Sequence, residues 1–463
     1  MAVAPPAILP PSPTAKRLAQ VEFRSKPQLP QVVAVTKRRS LRILILSGYG
    51  DVAIALAHRL VRDGHKPELY ILHDEYKESG KGIVPRLEDL PGNYSTYDLL
   101  VVTYKNFGRI VEECGIPVVG PNRAAEKLEN DRKFGMEILE KNGIRCPPWK
   151  FFTDKETALA WVKTKGGRFV LKPNGTEAPK LLTYCAKMDD SRDLISILEY
   201  AEEAYPEILK EGFILQEFIP GIEIAAGTYF DGHDFVQPVM VNFENKSFGM
   251  KPFPGPPTGE MGSHGIYLKD PKLFQEATVK MGSYLKKINY HGDFDINYIL
   301  AKDGPYALEM TPRTGYPTLC LQMAAMDSED YGDILYRVAT GTSKPIKVAK
   351  PWAVGVMFTS MPFPYEDECK NLHDYAGWEI HGPLLTDHNL FPLNVEKKDK
   401  KVITTGIGSL AVACGVGTTL KEAKTEAYLH LEKLHVPYAY ARPDIGDRFL
   451  EEEAELKQRG YLS

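Results

Sequence analysis

The chain has 463 residues, 43% of them hydrophobic, which is enough to bury several cores and points to three or so domains. Its net charge of −4 argues against general nucleic-acid binding, and its six cysteines (Cys114, Cys146, Cys185, Cys320, Cys369, Cys414) are scattered without a close pair, so they offer no zinc or redox motif. No apolar run approaches the roughly 18 residues needed to span a bilayer, and the expectation is a soluble cytoplasmic protein, monomer or homodimer, with no membrane and no direct nucleic-acid partner.

Residues 1–40 are rich in proline ("APPAILPPSPT") and carry seven Lys or Arg against one acid, Glu22, the composition of a disordered basic arm. The ordered chain starts at "LRILILSGYGDVAIALAHRLVRDGH". Leu41 to Leu46 is a buried-strand run, Gly48 and Gly50 make a tight turn, and Val52 to Val61 has helical period. Strands are expected again in "PELYILHDE" and "YDLLVVTY", the spacing of an α/β unit. Gly48, Gly50 and Ala53 satisfy the dinucleotide fingerprint, and Asp74 lies where a ribose-binding acid would, so an NAD-binding protein is a rival reading. A glycine turn after the first strand serves any such fold, however, and no later stretch supplies dehydrogenase chemistry.

After "GIPVVGPN" comes "RAAEKLENDRKFGMEILEKNGI", read as one helix with Leu128, Phe134, Ile138 and Leu139 on its apolar side and Asp131-Arg132-Lys133 along it. "RFVLKPN" ends a hydrophobic strand on Lys172, and "FILQEFIPGIEI" gives a strand, a Pro220-Gly221 break and Glu223. Taken singly, a strand-end lysine or an acid after a turn is usually solvated. In "YALEMTPRTGYPT", a period of two aims Glu309, Thr311 and Arg313 to one face; alone, this too would suit a surface edge.

The order of these features resembles the ATP-grasp ligases, in which two α+β lobes close on ATP, from about Gly120 to Gly341. Within that superfamily the chain resembles phosphoribosylamine–glycine ligase, the glycinamide ribonucleotide synthetase of purine synthesis, over most of residues 41–450. The stretches that carry the resemblance are "GIPVVGPNRAAEKLENDRKFGMEILEKNGI", "QEFIPGIEI", "PPTGEMGSHGIY", "LEMTPRTGYPT" and "TTLKEAKTEAYLHLEKLHVPYAYARPDIGDRF". The last places Arg442, Asp444-Ile445-Gly446 and Arg448 after a helix. The resemblance implies ATP and Mg²⁺ (or Mn²⁺) as cofactors. It assigns Asp295, Glu309 and Thr311 to the metal; Arg132 and Lys172 to the phosphates; Gln216, Glu217, Phe218 and Ile219 to the adenine edge; Glu223 to the ribose; and Arg313 and Lys246 to catalysis. It also implies weaker substrate contacts from Thr258, Gly259, Met261, Gly262, Gly48 and Gly50.

The departures from that family are specific. Arg132 replaces its lysine and keeps the charge. Thr311 replaces its metal-binding asparagine. The glycine-rich lid is reduced to "NGTEAPKL", and the N-terminal domain has "VVTYKN" in place of a Gly-Pro-Glu turn that serves the sugar phosphate. A flatter, less charged amine could then use Tyr49, Phe248 and Phe253 as walls. The expected architecture is α/β and α+β: an N-terminal α/β (pre-ATP-grasp) domain at 41–121, a two-lobed ATP-grasp core at 122–349 with a mobile small lobe at 148–216, a small C-terminal α+β domain at 350–455, and a tail at 456–463. The expected function is an ATP-dependent carboxylate–amine ligase for small-molecule carboxylate and amine substrates, with an amino acid as acyl donor. The family's own glycine ligation is the second reading, and an NAD-binding or non-catalytic protein the third.

Overall fold

The computed structural model describes residues 39–175, 183–204, 211–250, 252–366 and 369–462. Most of the basic arm and the "TEAPKL" stretch of the expected lid lie outside the described residues. From Ser40 onward the chain forms one compact unit. It opens on a five-stranded parallel sheet. β1 (Arg42–Ser47), β2 (Lys66–Ile71), β3 (Arg86–Leu87), β4 (Leu99–Val102) and β5 (Val118–Val119) stand in the order β3-β2-β1-β4-β5. The central strand β1 is apolar on both faces, as a parallel strand covered by helices must be. Helix α1 (Asp51–Arg62) follows directly from the glycine turn and buries Val52 to Ala57 and Leu60.

The stretch read as one helix is two. α2 (Arg123–Asn130) stops at Asp131, whose backbone is extended (φ −103°, ψ 90°), and Asp131 then caps α3 (Arg132–Lys141) by accepting the Phe134 N–H at 3.0 Å. A short acid that satisfies an orphan helix donor is a better start signal than a mid-helix residue. The break puts Arg132 on the first turn of α3.

Residues 149–217 form an antiparallel sheet of their own: β6 (Trp149–Phe152), β7 (Phe169–Pro173), β8 (Tyr184–Cys185) and β9 (Phe213–Glu217), in the order β6-β9-β7-β8. Helices α4 (Lys155–Lys165) and α5 (Arg192–Ala204) contribute Ala158, Leu159, Leu194 and Leu198 to the small core this sheet shares with Phe152, Phe169 and Phe213.

The largest sheet has eight strands, ordered β14-β13-β10-β11-β12-β15-β20-β17. It joins β10 (Ile222–Asp231), β11 (Val239–Glu244), β12 (Gly262–Leu268), β13 (His291–Ala301) and β14 (Gly304–Thr311) to β15 (Trp352–Thr359), β17 (Leu390–Pro392) and β20 (Ser409–Gly417). Strands on either side of the boundary expected at 350 therefore share one sheet, through the β12–β15 ladder from Gly262↔Val356 to Ile266↔Trp352. A small sheet, β16 (Ala376–Glu379), β18 (Val395–Lys398) and β19 (Lys401–Thr405), stands beside it. The expected tail at 456–463 differs in the structure: the helix Asp447–Gln458 runs into it, with Leu456 and Tyr461 buried in the core. No helix among the described residues is long and apolar enough to cross a membrane.

Candidate active site

One face of the large sheet gathers the charged residues. In β13 and β14 the register sets Asp295 opposite Thr311 and Asn297 opposite Glu309, and residues directly opposite in an antiparallel pair share a face. The two-residue connection between them is Lys302-Asp303, with Gly304 opening β14. On the same face Gly227 lies opposite Asp295, which brings β10 and its Glu223 into line. β11 adds Glu244, whose carboxylate accepts the Asn297 side-chain N–H at 3.0 Å.

Lys246 sits at the centre. Its ammonium is 2.9 Å from Glu244, 3.1 Å from Glu223 and 3.7 Å from Glu309. Burial alone would drive its proton off; the three carboxylates more than compensate and raise its pKa well above the ordinary lysine value. Glu309 is held the other way. Burial would raise it, but Lys172, Lys246 and Arg132 keep its carboxyl ionised well below the usual range. Asp295 is balanced less well: burial, with Glu244 and Asp293 nearby, outweighs Lys246 and pushes its carboxyl far up.

Two more cations reach this face, Lys172 from the four-stranded sheet and Arg132 from the first turn of α3. Lys172, at the end of β7 and only 7% exposed, donates to the Leu308 carbonyl at 3.1 Å, and burial lowers its pKa to about 8. Arg132 donates to the Pro173 carbonyl at 2.9 Å and to Glu309 at 3.2 Å, while its backbone N–H is received by Asn174 at 2.7 Å. A lysine and an arginine from two different elements thus converge on one carboxylate between the two sheets.

Other expected residues are placed less simply. The N–H groups of Glu217 and Phe218 are already donated to the Pro148 and Arg168 carbonyls at 2.8 Å, so an adenine edge would have to be read by other groups of this segment, such as Ile219. Gln216 is buried with its amide against the Met136 sulfur at 3.5 Å. Glu223 is the partner of Lys246. Thr258 folds back, its N–H and hydroxyl both donating to the Lys246 carbonyl, and Gly259 faces the Tyr316 ring. Met261 and Gly262 are buried, their backbones paired with Asn245 where β12 begins.

Arg313 lies just past β14 and is clamped by Glu129 through contacts of 2.8 and 3.1 Å, the planar geometry in which arginine binds a carboxylate best. The C-terminal motif also acts from a distance. Arg442 pairs with Asp444 at 2.6 Å and donates to the Ser247 carbonyl at 3.0 Å, fixing the chain beside Lys246. Glu129, Glu244 and Asn297 escaped the sequence reading. Glu244 had a signal in the alternation Asn242, Glu244, Lys246, whereas Glu129 sits on a helix with nothing to distinguish it from a solvated acid.

The glycine turn after β1 does not favour the dinucleotide reading. Tyr104 packs on Gly48, where an added Cβ would come within 2.5 Å of the ring, and Asn394 covers Gly50. Asp74 is 83% exposed and paired with Lys77 at 2.6 Å.

Comparison with known proteins places a family match over this part of the chain. Residues 130–318, which hold Arg132, Lys172, Glu223, Lys246, Asp295, Glu309 and Arg313, match the family model for the phosphoribosylglycinamide synthetase ATP-grasp (A) domain. The chain is thus similar to phosphoribosylamine–glycine ligase, with an ATP-grasp domain match over residues 130–318. A curated relative, the phosphoribosylamine–glycine ligase of Methanosarcina barkeri, is 26% identical over 88% of this chain and 96% of its own length. The crystal structure of the Thermotoga maritima phosphoribosylamine–glycine ligase superposes with a TM-score of 0.70 at 22% identity, covering 88% of this chain and all of that one. The biotin carboxylase domain of Hydrogenobacter thermophilus 2-oxoglutarate carboxylase, solved with MgADP and bicarbonate, shares the fold at a TM-score of 0.60 and 13% identity, over 87% of this chain and 92% of its own.

Proposed function

We propose that this ATP-grasp protein is an ATP-dependent carboxylate–amine ligase that makes an amide through an acyl phosphate, with an amino acid as acyl donor. The observation that carries the proposal is the meeting of Lys172 from β7 and Arg132 from α3 with Glu309 and Asp295 of the large sheet and Lys246 just past β11. A carboxylate is a poor electrophile, so it must first take the γ-phosphoryl group of ATP, forming a C–O–P link as ADP leaves. The amine nitrogen then attacks the acyl carbon, the C–N bond forms, and phosphate departs with the C–O bond. Lys172 and Arg132 would hold the nucleotide phosphates, and Arg313, fixed by Glu129 two residues past Thr311, would neutralise the departing phosphate.

The donor set suits Mg²⁺. Asp295, Glu309 and Thr311 present hard oxygen atoms on one face, and burial, with Glu244 and Asp293 nearby, raises the Asp295 carboxyl, so a bound cation would favour its ionised form. Among the described residues no three His, Cys, Asp or Glu side chains already close on a common point, consistent with Lys246 holding the middle of the cluster. When bound, the ion supplies charge for the phosphoryl group in transfer. The test is product analysis: incubation with ATP, a panel of amino acids and an amine pool from cell extract should yield an amide by mass spectrometry together with ADP. Absence of any ATP-dependent amide would overturn the proposal.

A further inference from the structure

The turn after β1 and the segment after β4 lie at the carboxyl ends of neighbouring strands, on either side of the point where the strand order reverses. Open parallel sheets bind their ligands in that crevice. Here it is lined with rings. Tyr49 stacks on His73 with centroids 5.0 Å apart and an angle of 22°, and it meets Tyr76 and Tyr104 at 5.0 and 4.7 Å in edge contacts. All four are half-buried, so ring surface remains on the wall. The Thr314 hydroxyl donates to the Thr103 carbonyl at 3.0 Å, which sets Tyr104 beside Arg313 and the end of the strand that carries Glu309.

The same crevice is poorly built for a phosphate. The first N–H of α1, at Asp51, is donated to the Asn394 side chain at 3.2 Å, and Asp51 places a carboxylate in the first turn, where an anion would otherwise be favoured. Tyr104 and Asn394 close over Gly48 and Gly50, so the turn cannot wrap a phosphoryl group. Asp51 and Glu129 bring further negative charge towards Arg313. The glycine turn itself, with the Asp51 carboxylate at its edge, therefore favours an amine over a sugar phosphate.

Resting on the ligase reading above, we propose that the amine acceptor carries a planar, uncharged ring seated against Tyr49 and Tyr104, with its amino group at the Arg313 end, in place of a phosphorylated sugar. The reaction is unchanged: the amine nitrogen bonds to the acyl carbon, phosphate leaves, and the ammonium proton passes to solvent.

The experiment traps the acyl phosphate with hydroxylamine as a hydroxamate, using ATP and each amino acid in turn, and then adds benzylamine, tyramine or phosphoribosylamine as competitors. The inference expects the ring amines to divert the intermediate at least about tenfold better than phosphoribosylamine. It also expects Tyr104→Ala to lower the ratio of ring amide to hydroxamate about tenfold and Tyr104→Phe to restore it. That ratio is internal to each variant and is indifferent to how much active protein remains. Hydroxamate formation with phosphoribosylamine as the preferred competitor, with no diversion by any ring amine, or with a ratio insensitive to Tyr104→Ala would overturn the inference and leave the ligase reading standing. No hydroxamate with any amino acid would overturn both.

Discussion

At Lys172 burial and charge oppose each other, and the result can be measured. The ordinary lysine value of 10.5 falls to about 8 in the folded protein because the ammonium is taken out of water, with Arg132 and Lys246 adding to the effect against Glu309. Between those two values the unfolded chain binds more protons than the native one, so stability must rise with pH across that window. Below about 8 both states are charged and the burial cost is carried in full. In nucleotide-free protein, the melting temperature of wild type relative to Lys172→Met should therefore climb from about pH 7 to about pH 10; a flat or falling difference would contradict the burial account. Glu309 answers to a different readout. It is the carboxylate that Arg132, Lys172 and Lys246 share, so Glu309→Ala should leave a folded protein whose ATP-dependent turnover is lower by about 10²-fold or more. Steady-state rates beside a circular-dichroism spectrum decide it, and unchanged turnover would remove Glu309 from the metal and phosphate machinery.

At the scale of elements, the break at Asp131 matters more than the helices it separates. Its cap starts α3 and so sets the direction in which Arg132 leaves the backbone, towards Pro173 and Glu309. Asp131→Ala should cost about 1 kcal/mol of stability, the usual value of a lost N-cap, and should weaken ATP binding with it. Calorimetric titration beside thermal melting tests this, and a loss of stability with full ATP affinity would show that the cap does not position Arg132. The sequence carried part of this legibly. The alternation in "LEMTPRT" put Glu309 and Thr311 on one face, and the apolar run of β1 announced a central parallel strand. What it could not show were relations across strands: Asn297 bound to Glu244, Glu129 clamping Arg313, and Asn394 covering the glycine turn of a sheet hundreds of residues earlier in the chain. Such contacts are set by register and tertiary packing, which leave no local period. The reading of one long helix failed because helical propensity on either side of Asp131 concealed a residue better used as a cap.

For the whole molecule, the reaction needs the first sheet held against the large one. Arg59 does much of this. It is 1% exposed, pairs with Asp63 at 2.8 Å, and donates to the Met323 and Glu329 carbonyls at 2.6 and 2.8 Å. Removing it strips the buried Asp63 carboxylate of its closest cation and the two carbonyls of this donor, so Arg59→Met should destabilise the protein by about 3 kcal/mol or more in urea unfolding. A change within about 0.5 kcal/mol would mean the sheets are held elsewhere. The eight-stranded sheet gives the same integration on the other side: its ladder runs from Glu309 and Asp295 through β12 into the C-terminal strands, while Arg442 grips Ser247.

The central claim is that a carboxylate is phosphorylated before the amine attacks, and oxygen tracing tests it most directly. With an acyl donor labelled with ¹⁸O in its carboxylate, the acyl-phosphate route predicts that one labelled oxygen per turnover appears in inorganic phosphate, with ADP as the other product. Release of AMP and pyrophosphate, or amide formation with no label in phosphate, would contradict it.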